Sequence, residues 1–190
     1  PARLAVGMYG KDADFFLLKG KVEAVLDEMG LGECDFEACT DTDVYPEASA
    51  FHPGRCAVVS KNGKVFGILG ELAPVVLENY GIGVKAYAAK LEVPEMMAVA
   101  AEEGDKVYKP LPKFPATTRD IAVVCDDKLP VATIEKAIKG AVGNILETVE
   151  LFDVYKGKQV GEGRKSVAFA ISMRSHEGTL TDEQADAAMK

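Results

Sequence analysis

Leu151 to Met173 reads LFDVYKGKQVGEGRKSVAFAISM, two strand-like runs around a turn with three glycines. Successive side chains of a strand alternate between faces. Val167, Phe169, Ile171 and Met173 therefore point one way, and Ser166, Ala168, Ala170 and Ser172 the other. The large set is expected to pack under helices, and the small set to leave an open, shallow face that a planar ligand can approach. Working outward, RDIAVVC reads as a strand and PVATIEKAIKGAV as a helix with Ile134, Ala137, Ile138 and Ala141 on one face. ETVELFDVY supplies the next strand. After the second strand of the hairpin, Thr181 with Gln184 three residues on forms a capping box that opens a last helix. The order β-α-β-β-α is one strand short of the ferredoxin-like βαββαβ arrangement, and the last strand is expected beyond Lys190. The sheet then presents an unprotected edge.

Upstream the pattern differs. RLAVGMY reads as a strand, and Leu18, Val22, Val25, Leu26 and Met29 mark a helix ending at Gly30. ECDFEACT is another strand, and CAVVS and KVFGIL are joined across Asn62-Gly63, a pair that tolerates positive φ. Pro74 opens a short helix, and KAYAAKLEV closes an antiparallel α+β unit over residues 1–93. MMAVAAEEGD reads as one helical turn or two, but KPLPKFPA carries three prolines, so residues 94–116 read as a connector. A second domain then occupies 117–190. The start at Pro1 and the unfinished helical pattern at the end lead us to expect a segment of a longer polypeptide.

No apolar run approaches the ~18 residues of a membrane span, and no signal segment opens the chain. Four cysteines at irregular spacing fit free or structural thiols in a reducing cytoplasm. Cys34, Cys39, His52 and Cys56 lack a CxxC knuckle, so no metal site is expected. The net charge of −8 disfavours an indiscriminate nucleic-acid binder, yet residues 106–176 hold 12 Lys+Arg against 8 Asp+Glu. Such a basic segment suits phosphate tracking; an ordinary solvated surface is the plainer alternative. There is no GxxxxGK[ST], nucleophile elbow or HExxH, and the two histidines, His52 and His176, give no acid-base constellation. No catalytic residue is expected, and His52 reads as a turn-shaping residue.

Asp153 and Ser166 are equidistant from the middle of the hairpin turn, so a regular register predicts that they are cross-strand neighbours. A carboxylate beside a hydroxyl suits a guanine edge, whose N1-H and N2 amino group both donate. Arg119, at the mouth of its strand, either reaches phosphate or forms a structural salt bridge between domains. Lys113, Lys156, Arg164 and Lys165 are expected to add phosphate attraction around the sheet rim.

KFPATTRDIAVV, LFDVYKGKQVGEGRKSVAFAI and GTLTDEQ together resemble, in order and spacing, the anticodon-binding domain of the β subunit of bacterial phenylalanyl-tRNA synthetases. DFFLLKGKVEAVLDEMG, FHPGRCAVV and GKVFGILGEL resemble the class II synthetase-like, catalytically inactive domain of the same subunit. The resemblance implies an α2β2 heterotetramer whose α subunit activates phenylalanine with ATP and Mg, while this segment holds no cofactor, scaffolds α and binds phenylalanine tRNA. It implies no DNA and no membrane partner. It also implies that Asp153 and Ser166 approach the first anticodon base. Two alternatives are a small-molecule sensor of the ferredoxin-like type and a purely structural subunit-interaction fragment.

Overall fold

Alternation, exposed with half-buried residues along Arg3–Tyr9 and half-buried with buried ones along Ala86–Glu92, makes these two runs strands with one better-covered face. In the computed structural model, which describes residues 2–39, 41–104, 108 and 110–189, they are β1 and β5. With β2 (Asp35–Ala38), β3 (Phe51–Lys61) and β4 (Lys64–Leu72) they form an antiparallel sheet in the order β1-β5-β4-β3-β2. The β3–β4 hairpin turns at Asn62 (φ 52°) and Gly63 (φ 76°), as the Asn-Gly pair predicts.

Helix α1 (Phe15–Glu28) starts where extended Asp14 accepts the Leu17 N–H at 2.6 Å. It ends before Gly30, whose positive φ a side chain would resist. Leu18, Val22 and Leu26 lose all solvent contact against Val59, Phe66, Leu69 and Leu91. Burial of this kind is worth about 1.5–3 kcal/mol per side chain. Pro74 sits in the first turn of the short α2 (Pro74–Asn79), where its missing N–H costs nothing.

The connector expected over 94–116 begins later than the sequence suggested. Val93–Glu103 is a helix, α3, with Pro94 in its first turn. Met96, Val99 and Ala100 fall at i, i+3 and i+4 and pack into the first core. The first unit accordingly extends through 108, and the second covers 109–190. Part of the connector lies outside the described residues.

In the second unit β6 (Thr117–Asp126), α4 (Val131–Val142), β7 (Leu146–Tyr155), β8 (Arg164–Met173) and α5 (Asp182–Ala188) follow the predicted order. Their antiparallel sheet runs β6-β8-β7, with β8 central. Val167, Phe169, Ile171 and Met173 are buried with Ile134, Ile138, Val142 and Ala185. The α4 stripe is rotated from the expected one: Ala137 and Ala141 are exposed, and Val142 takes the core position. The larger side chain at i+8 from Ile134 fills volume that an alanine leaves empty. Both halves of the Thr181–Gln184 capping box are formed.

Candidate functional site

The face of the second sheet turned away from the helices is floored by small residues. Ala122 pairs with Ala168, Asp120 with Ala170, and Val124 with Ser166. On the other side of β8, Tyr155 pairs with Ser166, Asp153 with Ala168, and Glu150 with Ala170. Asp153, Ser166 and Tyr155 therefore share one face, as the alternation predicts.

The expected Asp153–Ser166 pair is not formed. The expected register holds at Leu146 and Met173, but two irregularities in β7, between Leu146 and Thr148 and between Leu151 and Asp153, each shift the ladder by one residue, so that Ser166 takes Tyr155 as its partner. Asp153 is a diagonal neighbour of Ser166, at the ~7–8 Å separation typical of such positions. Together with Tyr155 they frame a corner around Ala168. Its hydroxyl, carboxylate and ring can respectively donate or accept, accept, and stack on a base.

Tyr155 was not singled out from the sequence, although the alternation of LFDVY places it beside Asp153. It is about half exposed, at 42%. Its ring lies across Gly157: a Cβ added at Gly157 would stand 2.7 Å from the Tyr155 Cζ and 3.1 Å from Cε1, and would collide with the hydroxyl. Gly157 is thus the residue that lets the ring lie down. The wider face is acidic, with Asp120, Glu150 and Asp153 flanking the alanine floor. Acceptors of this kind suit base-edge donors and repel phosphate.

The expected cationic rim divides. Lys113 and Arg164 are exposed. Lys156 is ion-paired to Asp127 at 2.5 Å, which holds that carboxyl below the usual aspartate range. Arg119 lies on the helix-covered side and bridges to α5, with Nη2 2.6 Å from Asp182 and Nε 3.0 Å from Asp186. The bridge is internal to the second unit, not between domains. Asp120 faces the open side, so the adjacent pair of opposite charges divides its work between the two faces.

Lys165 departs furthest from expectation. It is 7% exposed and donates to the carbonyls of Asp127 (2.9 Å) and Leu129 (2.7 Å). It therefore ties the β6–α4 turn to β8 and is no phosphate ligand. The cause is parity: Lys165 sits on the same side of β8 as Val167.

In the first unit, a cleft of about 630 Å³ lies between the sheet and the start of α1, lined by residues that include Phe15, Phe36, Arg55, Glu71, Lys85 and Tyr87. Glu71 is buried and receives Arg55 Nη1 at 2.9 and 2.8 Å on its two oxygens. His52 shapes its turn by accepting the Gly54 N–H at Nδ1, 3.1 Å away.

Comparison with known proteins agrees with both units. A family described as the phenylalanyl tRNA synthetase beta chain CLM domain matches residues 1–93, and the ferredoxin-fold anticodon binding domain matches 112–190. Among curated relatives, the phenylalanine–tRNA ligase β subunit of Clostridium acetobutylicum is 40% identical over 183 residues, 96% of this chain and 22% of the relative. That of Clostridium tetani is 42% identical over 181 residues, 95% and 22%. That of Symbiobacterium thermophilum is 43% identical over 174 residues, 92% and 18%. The chain thus spans about a fifth of the length of the relatives it matches. Two successive domain matches, in the order of the two folded units, show that the chain belongs to the phenylalanyl-tRNA synthetase β-subunit family and carries its ferredoxin-fold anticodon-binding domain.

Proposed function

We propose that this chain works within a cytoplasmic phenylalanine–tRNA ligase, an α2β2 assembly in which the α subunit carries out ATP- and Mg-dependent aminoacylation. The first unit, 1–93 with α3 packed on it, serves as a catalytically inactive class II synthetase-like scaffold for α. The second binds the anticodon region of phenylalanine tRNA through the open face of its sheet. The observation that carries this reading is the corner of Asp153, Tyr155 and Ser166 around an alanine floor, an acidic and aromatic face suited to an unpaired base. Asp153 accepts from the guanine N1–H and N2 amino group, Tyr155 stacks, and Ser166 supplies an adaptable hydroxyl. Lys113 and Arg164 add phosphate attraction from the rim.

The Asp153→Asn variant of the complete ligase tests it. The amide places a donor against guanine's donors, so kcat/KM for charging phenylalanine tRNA should fall by about 10- to 150-fold, the worth of a charge-assisted hydrogen bond. Phenylalanine-dependent pyrophosphate exchange, which needs no tRNA, should be unchanged. Replacing the first anticodon base should cost the variant far less than the wild type. Full additivity of the two changes would assign Asp153 to the sheet alone and leave the chain a structural subunit segment.

A further inference from the structure

The apolar cluster on the other face of the first sheet holds two thiols. Ala38 pairs with Ala57, so the next step sets Cys39 opposite Cys56, and the Cys39 N–H donates to the Cys56 carbonyl at 2.8 Å. Opposed residues bonded in this way stand about 5.5 Å apart at Cα. A disulfide closes without backbone movement over roughly 4.4–6.8 Å. Opposed side chains also share a face, and both residues are buried in the same cluster, 3% and 6% exposed. The other two cysteines stand apart. Cys34 donates to the Gly32 carbonyl and packs on the α1 side of the sheet, and Cys125 belongs to the second unit's core.

We propose that Cys39 and Cys56 form a cross-strand modification site, a resting dithiol that a small diffusible disulfide converts to an intramolecular disulfide. Cys39, as thiolate, attacks one sulfur of R–S–S–R and releases RS⁻, leaving a mixed disulfide. Cys56 then gives up its proton and attacks the Cys39 sulfur, and the second RS⁻ leaves. The two cysteine protons end on two RSH; the cysteine sulfurs are oxidised and the small disulfide is reduced. Cys39 comes first because it lies just past β2, a four-residue edge strand that frays more readily than β3. Burial, with a smaller push from Cys39, raises the Cys56 thiol to about 12. The closed sheet therefore suppresses the reaction, and local opening of β2 gates it.

The test uses the full-length protein in its native assembly, incubated with glutathione disulfide at pH 8, with and without urea below the unfolding transition, then alkylated and digested with trypsin without reduction. Cleavage at Lys21, Arg55 and Lys61 separates a peptide carrying Cys34 and Cys39 from CAVVSK, which carries Cys56. The expected product is these two peptides linked, two hydrogens lighter than their sum, appearing several-fold faster in urea. The link should persist in Cys34→Ser, vanish in Cys39→Ser and Cys56→Ser, and be reversed by dithiothreitol. Three results would each overturn the proposal: a link that survives Cys39→Ser, both thiols recovered alkylated after the urea arm, or a stable glutathione adduct that never closes.

Discussion

Arg164 and Lys165 are adjacent, carry the same charge and have opposite roles. Arg164 projects into solvent at the start of β8, while Lys165 is buried beneath the β6–α4 turn. We expect Arg164→Ala to reduce the slope of log K against log salt for tRNA binding by about 1, the signature of one lost phosphate contact. Lys165→Met should leave that slope unchanged and instead lower the stability of the second unit, by about 1–3 kcal/mol for two carbonyls deprived of a charged donor. A salt titration and a urea melt on each variant distinguish the two. Gly157 gives a third residue-scale expectation. Gly157→Ala must displace the Tyr155 ring, so tRNA charging should weaken about as much as in Tyr155→Ala, a stacking loss of about 1–3 kcal/mol. Melting of the protein should barely change, because the ring is half exposed. If Gly157→Ala charges tRNA as the wild type does, the ring's place over the turn has no bearing on RNA.

At the scale of elements, the strands, the Asn62–Gly63 turn and the capping box were legible because each rests on interactions among residues near in sequence. Which face of β8 is buried was legible for the same reason. The two irregularities in β7 were not, because symmetric counting from a turn assumes an uninterrupted ladder, and nothing in LETVELFDVY marks either shift. Lys165 was misread although its parity was on view: charge suggested a surface, and position denied it. The partners of Arg119 lie 63 and 67 residues away on α5, beyond any local pattern. α3 was read too short because MMAVAAEEGD suggested only a turn or two of helix, and the three prolines of KPLPKFPA assigned the whole stretch to a connector. In the first sheet, β3 and β4 are joined by the Arg55–Glu71 pair, in which burial pushes the carboxyl up but the arginine outweighs it and leaves it below its usual range. A depressed carboxylate stabilises fully above its unfolded pKa of about 4.3, and that contribution is lost as pH falls through the folded value. Arg55→Ala should therefore cost about 2 kcal/mol at pH 7, less than a fully buried pair because Arg55 is half exposed. The gap between variant and wild type in urea melts should shrink at pH 3; a gap independent of pH would dissociate the pair from the stability of the sheet.

For the whole molecule, the packing of α3 moves the expected cleavage zone. Limited proteolysis should spare 93–103 and cut after exposed Tyr108 with chymotrypsin or after exposed Lys113 with trypsin, before either unit is attacked. Mass spectrometry of the first fragments checks this, and early cuts within α3 would return that helix to the connector. The two units also differ in how far apart their paired strands are in the chain. β7 and β8 are neighbours across a short turn, whereas β1 pairs with β5, Arg3 facing Glu92. Of the strands of this sheet, β1 is the first to emerge from the ribosome, and β5, its partner among the described residues, is the last. Until Glu92 clears the exit tunnel, Arg3–Tyr9 is an alternating apolar strand with nothing to join, so the first unit spends most of its synthesis with an edge that other nascent chains can capture.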